Sequence, residues 1–307
     1  MISPVNISNR PVRPGLVLAV VLGLLACAST SASDRRDSQA VKTETGKSRS
    51  EPAQATRPPL ELQRVEAASS SQKVRDQVCQ DLPLDRLEDH HRAQVEALLG
   101  GPTLFRRLPA IRIELDPRSY EYFRRRPEMA TAIWRVLGIS QTTLNRTAPN
   151  MYTARNTDGS EGMLEILLRS EDLMIARGTG TWNSGLLAGR IRGEGLVVLR
   201  HRYERDRRGR QYVTHQAALF LSFPRQSIRT IARLIAPLTN IVADRNFYDI
   251  SAFLRMMHLA AVGQPGWIES IANRLEDVSA ADREAFLKTA AQAHVADRRR
   301  REGKVQR

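Results

Sequence analysis

The sequence predicts an α+β fold: an antiparallel sheet packed against long C-terminal amphipathic helices, with further helices on its N-terminal side. Two observations carry that reading. Hydrophobic spacing is helical between about residues 84 and 137, alternates from about 150 to 223, and becomes helical again beyond 228. Turn chemistry at Asp158-Gly159 and at Asp206-Arg207-Arg208-Gly209 joins the alternating runs by short links, which makes neighbours antiparallel. The stretch 79–297 is long enough for one sizeable core and contains no repeat at a solenoid or propeller period.

The first element is not part of that fold. Gly15 to Ala28 is a run of fourteen uncharged residues behind Arg10 and Arg13. As a helix it would rise about 21 Å, short of a hydrocarbon core of about 30 Å, so it reads as an export signal rather than a membrane span. Leu24-Leu25-Ala26-Cys27 resembles the bacterial lipobox, in which a small residue precedes a cysteine that is lipidated and becomes the mature N-terminus. The resemblance implies a signal peptide over 1–27, lipidation at Cys27, and an exported, membrane-anchored lipoprotein facing the periplasm or outer membrane. An ordinary cleavage at Ala26-Cys27-Ala28, or between Ala28 and Ser33, is the alternative. Residues 28–78 are rich in Ser, Ala, Gln, Glu, Lys, Arg and Pro, lack aromatics and show no sustained apolar period, so they are expected to form a disordered tether. After cleavage Cys79 is the one remaining thiol. An intrachain disulfide is then excluded, and Cys79 reads as a small apolar residue at the start of the domain.

Within the domain, Leu84 to Leu99 spaces Leu84, Leu87, His91, Val95 and Leu98 along one helical side, ended by Gly100-Gly101. Ala110 to Leu115 is a short strand. Asp116-Pro117 is an N-cap with proline at the first helical position, opening a helix through Tyr120 and Phe123. Glu128 to Leu137 is a second helix, stopped by Gly138. The strands expected next are Met151–Arg155, Gly162–Arg169, Leu173–Thr181, Gly195–Glu204 and Gln211–Phe223. In the last hairpin the odd positions Leu199, His201, Tyr203, Val213, His215, Ala217, Leu219 and Leu221 are mostly apolar and the even ones polar. One face is therefore expected to be buried and one wet. A loop at Arg207-Arg208-Gly209 places His201 directly opposite His215 on the apolar face.

Pro224 closes the sheet. Ile228, Ile231, Leu234 and Ile235 form an apolar stripe before Pro237, where a kink is expected. Ile250, Phe253, Leu254 and Met257 form a second stripe at i, i+3, i+4 and i+7. Ala280 to Val295 is the final helix, and 298–307 is a solvated basic tail. The order of elements from about 117 to 262, helices then a curved antiparallel sheet then a long amphipathic helix, is similar to the START-like (SRPBCC) helix-grip superfamily. That resemblance implies an apolar ligand cavity between sheet and helix, with His201, Tyr203, His215, Phe253 and Met257 as its wall.

Other constellations carry less. His90-His91 with Glu88, Asp89 and Glu96 lies on a polar helix face without an H-E-x-x-H pattern, so no metal is expected. Glycines at 178, 180, 185, 189, 193 and 195 match no phosphate-binding spacing and fall among strands, where bulges or bends are the ordinary cause. No Ser or Cys nucleophile is placed beside a histidine, and no catalytic residue or cofactor is assigned. In the polar run Ala243 to Asp249, Asp244 or Asn246 reads as a helix cap.

The net charge of +14 is carried by 47 basic residues, five of them lysine. Six arginines fall within 196–210 and six basic residues within 298–307. Behind an export signal, and without interleaved aromatics, this charge points to anionic lipid or a wall polymer rather than to nucleic acid. Two functions from different classes follow. The first is a cell-envelope carrier of a lipid or other hydrophobic molecule. The second is a non-enzymatic structural or interaction protein whose core is filled and whose basic surface meets a partner. An enclosed apolar void above about 300 Å³ would favour the first.

Overall fold

The computed structural model describes residues 62–183, 190–224 and 236–305. The expected signal peptide with Cys27, the expected tether up to residue 61, Gly185, Gly189 and the Ile228–Ile235 stripe lie outside the described residues. The strands are β1 Leu62–Glu66, β2 Leu104–Arg107, β3 Ala110–Glu114, β4 Thr143–Ala148, β5 Met151–Arg155, β6 Glu161–Arg169, β7 Leu173–Asn183, β8 Arg190–Arg205 and β9 Gln211–Ser222. The helices are α1 Gln72–Gln80, α2 Asp89–Gly100, α3 Pro117–Arg125, α4 Pro127–Val136, α5 Ala236–Gly263, α6 Pro265–Asn273 and α7 Ala280–Val305. The class is α+β: one nine-stranded antiparallel sheet, ordered β1-β3-β9-β8-β7-β6-β5-β4 with β2 also on β9, and C-terminal helices packed on it.

Strands β2 and β3 lie end to end along the same edge of β9. Arg107 faces Ala218 and Ile111 faces His215, so the connection holds one residue more than β9 does. Leu108 N–H still donates to Ala217 O at 2.8 Å, and Pro109, which has no donor, takes the interruption. The extra residue inverts the facing of the chain. Phe105 packs with Phe220 on one side of the sheet, whereas Ile111 and Ile113 are buried on the other.

The β8–β9 hairpin has the expected register. His201 faces His215, Asp206 N–H donates to Arg210 O at 2.9 Å, and Gly209 takes φ +75° in the turn. Its odd positions meet α3, α4 and α5 in the larger core, which holds Trp134, Ile133, Met129, Leu219 and Phe253. The even face is not uniformly wet, contrary to expectation. Leu196, Val198, Ala218 and Phe220, joined by Leu173 and Ile175 of β7, form a second core closed by Leu87 and by Val95 and Leu98 of α2. Polar even positions such as Arg200 and Arg202 belong to the end of the hairpin beyond that helix, so each half of the face follows its own composition.

Several boundaries are corrected. The folded region begins before residue 79: β1 pairs with β3, and α1 is capped by the Ser71 hydroxyl, which accepts from Val74 N–H. The helix expected over 84–99 is split into a short 3-10 turn, Leu84–Arg86, and α2. Cys79 is half-buried against the second core, and burial pushes its thiol pKa upward. Ala243 to Asp249 is the interior of α5, so neither Asp244 nor Asn246 caps it; Asp244 instead accepts from Arg106 of β2, at 3.0 Å from Nε. Helix α5 is described from Ala236 onward, so the kink expected at Pro237 borders residues outside the described ones. The basic tail is helical, since α7 runs to Val305 and Asp297 pairs with Arg300 and Arg301. Glycines of β7 and β8 face one another, Gly178 with Gly195 and Gly180 with Gly193, in an unbroken register that contains no bulge. Among the described residues no helix is long and apolar enough to cross a membrane.

Candidate functional site

Between the odd face of the sheet and helices α3, α4 and α5 lies a cavity of about 180 Å³. Met174, Val197, Leu199 and Ala217 come from the sheet, Trp134 from α4, and Ile250, Phe253 and Leu254 from α5. Each reaches the space for a local reason. Alternation aims odd residues of β8 and β9 at the helices. The i, i+3, i+4 spacing of Ile250, Phe253 and Leu254 turns one stripe of α5 toward the sheet. Trp134 meets Phe253 edge to face, with ring centres 5.3 Å apart, and Phe123 does so from α3 at 5.4 Å.

A part-buried polar cluster stands beside this apolar wall, built from α3 and the β8–β9 hairpin. Glu121 is its centre. Arg124 grips the carboxylate with two bonds, Nε to Oε1 at 2.9 Å and Nη2 to Oε2 at 2.6 Å, and Arg125 Nε donates to Oε2 at 3.3 Å. Tyr203 donates its hydroxyl to Oε1 at 2.5 Å, and His201 Nε2 stands 3.4 Å from the same oxygen. Burial works against ionisation of Glu121. Hydrogen bonding from His201, Arg124 and Tyr203 outweighs it and holds the carboxyl well below its usual range.

A second chain of bonds runs through His215. Ser251 donates to Phe247 O at 2.8 Å, in the i to i−4 pattern open to a serine inside a helix. Its oxygen therefore accepts from His215 Nε2–H at 2.8 Å. That tautomer leaves Nδ1 as an acceptor for the Tyr120 hydroxyl at 3.3 Å. Burial, reinforced by His201 opposite, lowers the His215 pKa to about 3, so the ring is neutral. Ser251 is fully buried and does not line the cavity. The Ser–His pair thus fixes α5 to the sheet and presents no nucleophile to the space.

Of the residues expected to line a cavity, His215 and Phe253 do. His201 and Tyr203 belong to the Glu121 cluster, and Met257 lines a separate void of about 20 Å³ between α3, α5, α6 and α7. The displacement of Met257 follows from helix geometry, because i+7 lies two turns along α5 and beyond the end of the first cavity. Sequence reasoning missed Tyr120, Trp134 and Arg124. The signal was present in α3: Tyr120, Phe123 and Arg124 share one stripe at i, i+3 and i+4, and an arginine on such a stripe points inward. Glu88, His90 and His91 do place three ligand atoms within 4.8 Å of one another, but Glu88 and His90 are exposed.

No family model matches the chain, and no curated protein matches it in sequence. Among solved structures it is similar to a conserved protein from Geobacillus kaustophilus, at 11% identity and a TM-score of 0.24, over 45% of this chain and 93% of that one. It is also similar to an uncharacterised protein from Rhizobium leguminosarum, at 16% identity and a TM-score of 0.26, over 46% of this chain and 95% of that one. Likenesses at this level assign neither a family nor an activity.

Proposed function

We propose that this chain is an exported lipoprotein, anchored through Cys27, whose folded domain binds a small hydrophobic ligand between the sheet and α5. The observation that carries the reading is the cavity of about 180 Å³, walled by Trp134, Leu199, Ala217, Ile250 and Phe253. A dry void of about 150 Å³ is known to admit a benzene-sized molecule, so this one suits a ring or the end of an acyl chain. Its volume is below the roughly 300 Å³ at which ordinary ligand pockets begin. That shortfall favours the second reading, a filled-core envelope protein acting through its basic surface, and the experiment is chosen to separate the two.

Trp134 is the reporter. With Trp182→Phe and Trp267→Phe it becomes the sole indole of the three in the chain, and it can be followed while octanol is titrated. The carrier reading expects a saturable change that is lost in Ala217→Leu, which fills the space. A linear, unsaturable response in both proteins would leave the interaction protein standing. For the anchor, Cys27→Ala is expected to move the protein from the membrane fraction to the soluble one after a high-salt wash; retention would overturn the lipid anchor.

A further inference from the structure

The β8–β9 hairpin runs on past its neighbours. Pairing with β7 stops where Leu173 faces Arg200, and pairing with β3 stops where Glu114 faces Tyr212, while β8 continues to Arg205. The tip therefore projects from the sheet. From Arg200 to Arg210 it carries six arginines against Glu204 and Asp206, and both carboxylates are already taken. Glu204 accepts from Arg112 Nε at 3.0 Å and from Arg202 Nε at 2.8 Å. Asp206 is held inside the turn, accepting from the backbone N–H groups of Arg208 and Arg210 at 2.9 and 2.8 Å and from Arg210 Nε at 2.8 Å. Arg205, Arg207 and Arg208 are exposed, and among the described residues their side chains make no ion pair. The acids of the turn before β7, Glu171 and Asp172, stand back at the level of His201, whose N–H donates to Asp172 O at 2.9 Å. The tip thus presents three unneutralised guanidinium groups to solvent.

A second observation concerns where the chain enters the domain. Leu62 faces Ile113, which faces Val213, which faces Tyr203. Strand β1 is antiparallel to β3, so the chain before Leu62 arrives from the tip end of the sheet. From these two placements we propose that the tip of the β8–β9 hairpin, with Arg205, Arg207 and Arg208, docks on the anionic phosphodiester headgroups of the membrane that carries the anchor. The inference rests on the anchored-lipoprotein part of the reading above and on none of its cavity. A guanidinium suits the partner, because its planar fork matches two phosphate oxygens at once. Attachment through the tether keeps the tip near the surface, and charge then selects the end that meets it.

The test uses the mature chain with Cys27→Ala, so that no acyl anchor contributes, and measures cosedimentation with phosphatidylcholine vesicles with and without phosphatidylglycerol. Binding is expected only with phosphatidylglycerol, and it is expected to weaken as salt shortens the screening length from about 10 Å at 0.1 M to about 3 Å at 1 M. Arg205→Gln, Arg207→Gln and Arg208→Gln together are expected to lower the affinity on the order of a hundredfold. Asp206 and Gly209, which shape the turn, are untouched, and melting curves that overlay the parent's show that the variant is folded. The control removes the same charge from exposed positions at the opposite end of the sheet, Arg155, Arg190 and Arg192, each to Gln. That protein is expected to bind within about threefold of the parent. Equal losses in the two triple variants would overturn the proposal by tracing binding to the general charge of the chain, and so would undiminished binding of the tip variant. Failure of the parent to bind phosphatidylglycerol vesicles would overturn it too, and binding to soluble polyphosphate in their place would make a wall polymer the partner. Because the vesicle assay needs no lipidation, its outcome is independent of whether Cys27→Ala releases the protein from cell membranes.

Discussion

The two faces of the sheet are built from the same strands, yet they are filled differently. On the even face, Leu173, Ile175, Leu196, Val198, Ala218 and Phe220 meet Leu87, Val95 and Leu98, with Phe105 and Phe220 in ring contact at 5.0 Å. On the odd face the covering helices bring aromatic rings and a charged cluster, and a cavity of about 180 Å³ remains beside them. Aliphatic side chains interdigitate across a sheet with few gaps. Large rigid rings meet edge to face on the odd face, and a space between them persists. One face acts as the foundation and the other carries the site.

That contrast makes its strongest claim on the solid side. Phe220→Ala removes a ring that is fully buried, and it is expected to cost about 3 to 5 kcal/mol in a denaturant melt, as large-to-small changes in rigid cores do. A cost below about 1 kcal/mol would mean that the even face is loosely filled too.

The next effect belongs to the polar side and depends on pH. His215 has its folded-state pKa lowered to about 3 by burial, against about 6.5 in an unfolded chain. Below pH 6.5 the unfolded chain takes up a proton that the folded ring refuses. Stability is therefore fully present above that pH and falls by about 1.4 kcal/mol per unit as pH drops toward 3. Buried His258, lowered to about 4, acts in the same direction. His215→Gln keeps a donor toward Ser251 and cannot protonate. Melts between pH 6.5 and 4.5 should show the slope roughly halved, and an unchanged slope would contradict the buried neutral histidine.

The smallest effect is at the edge. Deleting residues 34–61 is expected to leave the melting temperature within about a degree of the parent. Extending the deletion to residue 70 removes β1 and its pairing with β3, and is expected to cost on the order of 1 to 2 kcal/mol. Equal melts for the two deletions would place β1 outside the cooperative unit.

The pattern of what could be read from the sequence follows the same division. Strands β5 to β9 alternate strongly and were legible, including the facing of His201 and His215, because a turn of known geometry fixes register. Strand β1 was illegible: only Leu62 is half-buried, the other four residues are exposed, and the strand is held by backbone pairing. Strand β4 buries only Leu144, so it left no alternation to detect. The second core escaped because the even positions of β9 mix Tyr212, Thr214 and Gln216 with Ala218 and Phe220, and an average over the strand hides two environments. In the site, Phe253 and His215 were legible from periodicity within one element. The meeting of Arg124 and Trp134 with them is a tertiary fact, set by how α3 and α4 cross the sheet.

Ala217 and Ala218 are adjacent in β9, one lining the cavity and the other buried in the solid core. Their leucine variants change the same strand by the same volume, so strand propensity largely cancels and packing alone distinguishes them. Thermal melts of Ala217→Leu and Ala218→Leu beside the parent therefore test the difference between the faces most directly. Ala217→Leu is expected to match or exceed the parent by up to about 1 kcal/mol, because it fills existing space. Ala218→Leu is expected to lose about 1 to 3 kcal/mol through overpacking. Equal losses in the two variants would contradict the account, since they would mean that the odd face is as full as the even one.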